Sequence, residues 1–406
     1  MGDQATALLR DRDSAEGYVA SICFKHGPPR LYGVELEWTV HHADDLSRPL
    51  DIETLCRALG PHAPRTLSPS ANPAPLPNGS TVTVEPGGQV ELSTTPHDSV
   101  ASLLHATNGD SDRLDDLLAQ SGLVRGVLAV DEHRPPSRLL QTPRYETMQN
   151  AFDRIGPHGA LMMCNTAALQ VCLDIGEPHR VAARWAAANG LGPVMVALFA
   201  NSAAVAADGQ AWECARMRSV LATDPSRSLP LASAEDPAAA WAARALDTPL
   251  LCVRRHEGRW DAPSGVTFAD WIDGALPNPP TVDDLDYHLS TLFPPVRPRG
   301  YLEVRYLDAQ PGGSWMAPVA LLTALMADET TVDAVVDMTA PVADLWFEAA
   351  RQGLAHPVIA AAAQQVLDLG CESLDSLGLP APSSAQIFTD LAHKRAELTP
   401  SKRCPS

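Results

Sequence analysis

Gly33-Val34-Glu35-Leu36-Glu37-Trp38-Thr39-Val40 is the stretch on which the fold turns. Val34, Leu36, Trp38 and Val40 alternate with Glu35, Glu37 and Thr39. A period of two puts the first set on one face of a strand and the second set on the other. Thr81–Glu85 repeats the pattern, turns through Pro86-Gly87-Gly88 and returns as Gln89–Ser93, with Val82, Val84, Val90 and Leu92 apolar and Glu85 and Glu91 pointing away from them. Tyr301–Tyr306 sets Leu302, Val304 and Tyr306 against Glu303 and Arg305, and Leu169–Asp174 is a further strand of this kind. Together these segments predict an α+β fold: an antiparallel sheet with one face packed on helices and one polar face.

Helical spacing is clear in Asp98–Ser121, where Leu103, Leu104, Leu114, Leu117 and Leu118 recur, with the acidic run Asp110–Asp116 read as its wet face. Arg144–Phe152 and Pro178–Asn189 are further helix candidates, the second ending at Asn189-Gly190 in the manner of a C-cap. The Ala- and Leu-rich region from Pro318 to about Leu398 reads as a helical C-terminal region. Proline-rich loops at Gly60–Asn78, Asp224–Pro237 and Pro277–Pro298 are read as excursions from one catalytic domain spanning residues 1–406, its core at about 31–310 and the helical region at about 316–400 packed on it.

Composition removes several functions. The chain has 49 acidic and 30 basic residues and a formal net charge of -19, which repels nucleic acid and anionic lipid. Its 8 cysteines include no CxxC pair, which disfavours a disulfide scaffold and a structural zinc site. Met1–Gln4 lacks a basic segment leading into an apolar run, the Gly2/Thr6 match to a myristoylation pattern is too short to carry weight, and the apolar stretch Gly192–Ala207 is too short to span a bilayer. The expectation is a cytoplasmic chain with no membrane partner.

The polar face carries the chemistry. Glu35 and Glu37 share one face at roughly 7 Å spacing. An isolated Glu-x-Glu is ordinarily a solvated surface, but Glu85, Glu91 and Glu303 lie on the matching faces of other strands. Like charges side by side in a sheet destabilise it, and glutamate is a poor strand former. Such a cluster calls for a counter-charge, and two or three Mg²⁺ ions with oxygen ligands supply one while leaving positions for nucleotide phosphates. Arg305 shares the face with Glu303, placed either to stabilise a transferring phosphoryl group or to form a cross-strand salt bridge. Pro86-Gly87-Gly88 is either an ordinary hairpin turn or a point where backbone comes close to a ligand. With no Walker A motif and no GxGxxG after a strand, any ATP would have to be held by the metal face. His41-His42 reads as a strand-end feature, Met162, Met163 and Trp185 as core, and Cys164 and Cys172 as inert thiols.

Gly33–Glu37, Thr83–Ser93, Pro143–Met148, Met162–Thr166 with Gln170–Asp174, Phe199–Ser202, Arg218–Pro225, and His288–Arg297 with Tyr301–Arg305 fall in the order of blocks that resemble signatures of glutamate–cysteine ligases. The Glu-Pro-Gly-Gly-Gln and Tyr-Leu-Glu-Val-Arg blocks are the most specific. The pattern is similar to the plant and proteobacterial type, and the Arg-rich usage with only Lys25, Lys394 and Lys402 points to the actinobacterial branch that opens ergothioneine synthesis.

The resemblance implies a glutamine synthetase-like fold whose curved sheet bears the active site on its polar face. It implies that Glu35, Glu37, Glu85, Glu91 and Glu303 are Mg²⁺ ligands, that Arg305, Gln170 and Arg144 contact the nucleotide, and that Arg218, Tyr145 and Gln89 contact the amino-acid substrates, Arg218 through a carboxylate. Arg305, Glu85 and Glu303 would carry the catalysis. The implied reaction joins the L-glutamate γ-carboxylate to the L-cysteine amine through γ-glutamyl phosphate at the expense of ATP. The alternatives are a ligase of the same superfamily acting on another amine and a metal-binding module without turnover.

Overall fold

The structure, a computed structural model, describes residues 7–206, 208–231 and 233–398; Met1–Gln4, the Gly2/Thr6 match, Lys402 and the far ends of the apolar stretch at Ala207 and of the C-terminal region lie outside the described residues. Six strands form the main sheet: β1 (Tyr32–Trp38), β2 (Thr81–Val84), β3 (Val90–Ser93), β4 (Ala168–Leu173), β5 (Val296–Pro298) and β6 (Leu302–Asp308). Their spatial order is β2-β3-β1-β4-β6-β5, and each neighbouring pair is antiparallel. The α+β architecture expected from the alternating segments is therefore present.

Register decides which side chains meet. Glu37 stands opposite Glu91, Glu35 opposite Gln170, and Glu303 opposite both Cys172 and Arg297. Directly opposed residues share a face, so these groups all rise from one side of the sheet. The other side carries Val34, Leu36, Val82, Leu92, Val171, Leu173, Leu302 and Val304, all buried. The helices Val181–Leu198 and Val100–Gln120 pack there, the first against β6 and the second against β1. Chain direction breaks at Thr39: Val40–His42 leaves the main sheet and pairs instead with Leu123–Arg125.

Several expectations need correction. Asn189-Gly190 does not end a helix; the helix runs on to Leu198 with Pro193 inside it. Gly190 and Gly192 sit there because partner helices come close: a Cβ at Gly190 would lie 2.3 Å from Thr339 Oγ1, and one at Gly192 would lie 1.8 Å from the Trp346 ring. With its leading 3-10 turn this unit, Pro178–Leu198, is long and apolar enough to cross a membrane by length and composition, but 83% of its most apolar window is buried within the fold. Asp110 is not on a wet face. It is fully buried, and it accepts hydrogen bonds from the backbone N–H groups of Asn78 and Ser80 and from the Asn78 amide, so it anchors the loop that enters β2. The proline-rich excursion Pro277–Pro298 contains the helix Val282–Leu289 and the edge strand β5, where Pro298 costs no ladder bond that a central strand would need.

The C-terminal region is helical as expected, with helices at Met316–Leu325, Glu329–Thr339, Trp346–Gln352, Pro357–Ser373 and Ala381–Leu398. These join the same hydrophobic core as the sheet, which runs from Leu9 to Leu391.

Glycine-to-alanine exchange normally stabilises a helix interior by about 1 kcal/mol. Gly17, exposed in the helix Arg12–Cys23 with nothing within 4 Å of its missing Cβ, should behave that way. Gly192→Ala should do the reverse and destabilise by ~1–3 kcal/mol, because the methyl group must displace Trp346. Urea unfolding of the two variants against wild type checks the opposite signs.

Candidate active site

The polar face of the sheet floors a cavity of about 520 Å³. Its two ends differ in charge. Glu35, Glu37, Glu85 and Glu91 line one end, and Arg297 and Arg299 line the other, with Gln170 and Arg305 between them.

At the acidic end two of the four carboxylates, those of Glu37 and Glu91, have fixed donors, and all four have negative neighbours. Glu37 accepts from the Ala168 backbone N–H at 2.8 Å and from Gln170 Nε2 at 2.9 Å. Glu91 accepts from Thr83 Oγ1 at 2.6 Å and Ser93 Oγ at 3.0 Å. Burial first, and then the other glutamates, push the carboxyl groups of Glu35, Glu37, Glu85 and Glu91 up to about 7. Glu85 reaches this group from the turn after β2, where its N–H donates to the Gln89 carbonyl and its carbonyl accepts from Gly88 N–H. Gly88 has φ +93°, a conformation glycine takes without strain. Gly87 is needed for a different reason from ligand approach: a Cβ there would lie 2.1 Å from the Cys164 carbonyl oxygen, so the turn is packed directly on the end of the helix His158–Cys164.

The basic end is closed by ion pairing. Glu303 has no exposed surface; its Oε2 accepts from Arg297 Nε at 2.6 Å and Arg305 Nη1 at 3.0 Å, and its Oε1 accepts from Arg299 Nη1 at 3.3 Å. Burial alone would raise its carboxyl, but Arg297 and Arg305 outweigh that and hold it far below the ordinary carboxylate range. Arg305 Nη1 also donates to Gln170 Oε1 at 2.5 Å. A continuous relay, Glu303–Arg305–Gln170–Glu37, thus crosses β6, β4 and β1.

Most residues singled out from the sequence converge here. Arg144, Tyr145 and Gln89 line the cavity with Gln170, Arg305 and four of the five glutamates, while Glu303 lies buried beneath its arginines. Arg144 donates to the Ser290 hydroxyl and carbonyl at 3.0 and 2.8 Å and lies over the Tyr287 ring. Gln89 is held by bonds from Nε2 to the carbonyls of Thr166 and Met163. Arg218 is the exception. It faces away, stacked 4.8 Å from the Trp212 ring centroid, and the cavity wall on its helix is formed by Arg216, Met217 and Val220. The metal role expected for Glu303 competes with three guanidiniums, whereas among the described residues no guanidinium pairs at salt-bridge distance with Glu35, Glu37, Glu85 or Glu91.

Arg216 and Arg299 went unread in the sequence, and Arg297, the last residue of the His288–Arg297 block, was given no role there. The signal for Arg297 and Arg299 was a Val-Arg-Pro-Arg run one glycine before the Tyr-Leu-Glu-Val-Arg strand, obscured by its prolines. His41 and His42 are not a ligand pair: His41 bonds to the Leu46 carbonyl and Thr39 Oγ1, and His42 contacts Arg48. Trp185 is core, while Met162 and Met163 reach the cavity wall. Burial pushes the Cys164 thiol up to about 11, and that of Cys172 is pushed well above its ordinary value, first by burial and then by Glu35 and Glu303.

The donor set at the acidic end suits a hard divalent cation: oxygen ligands only, desolvated and in charge excess. Among the described residues no three acidic, histidine or cysteine side chains close on one point. An ion here would therefore complete its shell with oxygens from outside the protein, the habit of Mg²⁺ in nucleotide sites.

Comparison with known proteins gives the family. Residues 31–376 match the sequence model of glutamate–cysteine ligase family 2 (GCS2). The chain is 38% identical over 368 residues to the glutamate–cysteine ligase EgtA of Mycobacterium tuberculosis, covering 88% of this chain and 83% of that one. It is 36% identical over 367 residues to EgtA of Mycolicibacterium smegmatis (89% and 84% covered) and 28% identical over 348 residues to the chloroplastic glutamate–cysteine ligase of Medicago truncatula (79% and 66%). Among solved structures, the glutamate–cysteine ligase of Francisella tularensis aligns with a TM-score of 0.45 and 12% identity over 94% of this chain and 96% of that one. The protein is an enzyme of the ligase class. It belongs to glutamate–cysteine ligase family 2.

The raised carboxyls make the metal-free chain sensitive to pH. Between about pH 4.5 and 7 the folded state holds protons on Glu35, Glu37, Glu85 and Glu91 that the unfolded state has lost. Stability therefore falls as pH rises through that window. Glu303 acts in the opposite sense, its contribution being lost as pH falls below about 4.5. In chelator, the thermal midpoint should be higher near about pH 5 than near about pH 8, with a shallower slope in Glu37→Gln; equal midpoints would mean the glutamates do not crowd one another.

Proposed function

We propose that this enzyme joins the γ-carboxylate of L-glutamate to the amine of L-cysteine with ATP, giving γ-L-glutamyl-L-cysteine, ADP and phosphate, as an opening step towards ergothioneine. The observation that carries the reading is the division of the cavity: carboxylates in excess at one end, arginines at the other, and Arg305 on the border. The names of the EgtA relatives supply the substrates, and the acid-and-arginine floor supplies the means.

Glu35, Glu37, Glu85 and Glu91 would hold Mg²⁺, which when bound neutralises nucleotide phosphate charge. Arg305 lies beside them, its guanidinium fixed by Glu303 and Gln170, where it stabilises charge on a phosphoryl group passing to the glutamate carboxylate. Glu303 is then a holder of arginines more than a metal ligand. Arg299, half exposed and tied to Glu303 only at 3.3 Å, and Arg144, on the opposite wall, are the guanidiniums placed to receive substrate carboxylates. The task given to Arg218 by the family resemblance passes to them. The amine displaces phosphate from γ-glutamyl phosphate, and catalysis is positioning with charge neutralisation.

The test is ADP formation by purified enzyme with ATP, Mg²⁺ and glutamate against a panel of amino acids. Cysteine should give the highest kcat/KM; turnover that prefers another amine, or none with any, would overturn the assignment. Glu85→Gln and Arg305→Lys should each lower kcat by roughly 10²–10³-fold while the protein still folds. Near-normal turnover in either would remove that residue from the chemistry.

A further inference from the structure

Strand β6 does not run straight. Val304 faces Val171 and Leu307 faces Leu169, so Arg305 and Tyr306 together stand opposite the single residue Gln170. A bulge of this kind disrupts the hydrogen-bond ladder and re-aims the side chains beyond it. Tyr306 and Leu307 both enter the core as a result, while Arg305 stays on the cavity face.

The disturbed backbone is held by one side chain from another element. Arg216, on the helix Ala215–Thr223, donates from Nη2 to the carbonyl oxygens of Arg305 at 3.2 Å and Leu307 at 2.8 Å. Its Nε donates to Asp308 Oδ1 at 2.8 Å. Asp308 is sealed in turn, accepting from Ser202 Oγ at 2.6 Å and from the Asn201 backbone N–H at 2.8 Å. Arg216 is 3% exposed, yet it also lines the cavity. Burying an ion pair is an expensive way to satisfy two carbonyls, and an apolar replacement is often no less stable. What the pair provides is geometry: a planar fork can grip both carbonyls and a carboxylate at once.

We propose that Arg216 is a positioning residue for the ligase reaction: by clamping the bulge it sets the angle at which Arg305 reaches between Gln170 and Glu303. Arg216 acts through Arg305 and not on substrate. The inference rests on the ligase reading, and the two can fail separately.

The experiment is a double-mutant cycle of Arg216→Lys and Arg305→Lys, with kcat, KM for glutamate, thermal midpoint and a crystal structure of the Arg216→Lys protein. Lysine keeps the charge beside Asp308, which protects the fold, but cannot span both carbonyls. Arg216→Lys should lower kcat by roughly 10–100-fold with KM for glutamate little changed, as expected of a group displaced by about 1 Å. The crystal should show the Arg305 guanidinium withdrawn from Gln170. The double variant should be no slower than Arg305→Lys alone, because one residue works through the other. Losses that multiply, unchanged kcat, or an undisturbed Arg305 would each overturn the inference while the wild type stays active. A wild type that forms no ADP would overturn the ligase reading with it. If Arg216→Lys does not fold, Asp308→Asn takes its place in the cycle with the same outcomes.

Discussion

A carboxylate shut away from water keeps its charge only where the protein supplies the solvation it has lost, and Glu303 obtains this from three guanidiniums. That arrangement organises the rest of the polar face. Arg305 is immobilised by it, Gln170 is oriented by Arg305, and Glu37 is oriented by Gln170. Four strands, β5, β6, β4 and β1, are cross-linked through side chains as well as backbone. One end of the cavity is thus electrically satisfied, while the other is left with glutamates that repel one another. The difference between the ends gives the cavity an electrical polarity, with unneutralised carboxylates at one side and paired arginines at the other.

Such a floor opposes folding, since Glu37 faces Glu91 across neighbouring strands where an opposite charge or a β-branched pair would do better. The opposing cost is met underneath. The apolar side of the same strands is covered by long helices whose close contacts need glycine at positions such as 190 and 192. Sheet and helices share one continuous core with the C-terminal helices, so the region beyond the recognisable sequence blocks supports the site mechanically, although none of its described residues lines the cavity.

Much of this was legible in the sequence because strands that are polar on one side and apolar on the other announce both their conformation and their face. Glu35, Glu37, Glu91, Glu303 and Arg305 could be placed on one surface from alternation alone. What escaped depended on contacts between distant segments. Arg218 and Arg216 are two residues apart on a helix, and nothing local says which of them turns inward. Asn189-Gly190 carries the chemistry of a helix end, but packing against Thr339 and Trp346 keeps the helix going. Asp110 looks like surface because its partners, Asn78 and Ser80, come from a loop whose route the sequence does not give. The bulge in β6 did leave a mark: Tyr306-Leu307 are adjacent apolar residues where strict alternation would require a polar one.

Strand β5 has only three residues, closes with Pro298 and follows Pro294-Pro295. A sheet margin built this way offers an incoming chain almost no register of free amide donors. Lateral polymerisation through that border is discouraged, so the arginines that line the cavity can sit at the rim of the sheet without turning it into a template for fibres.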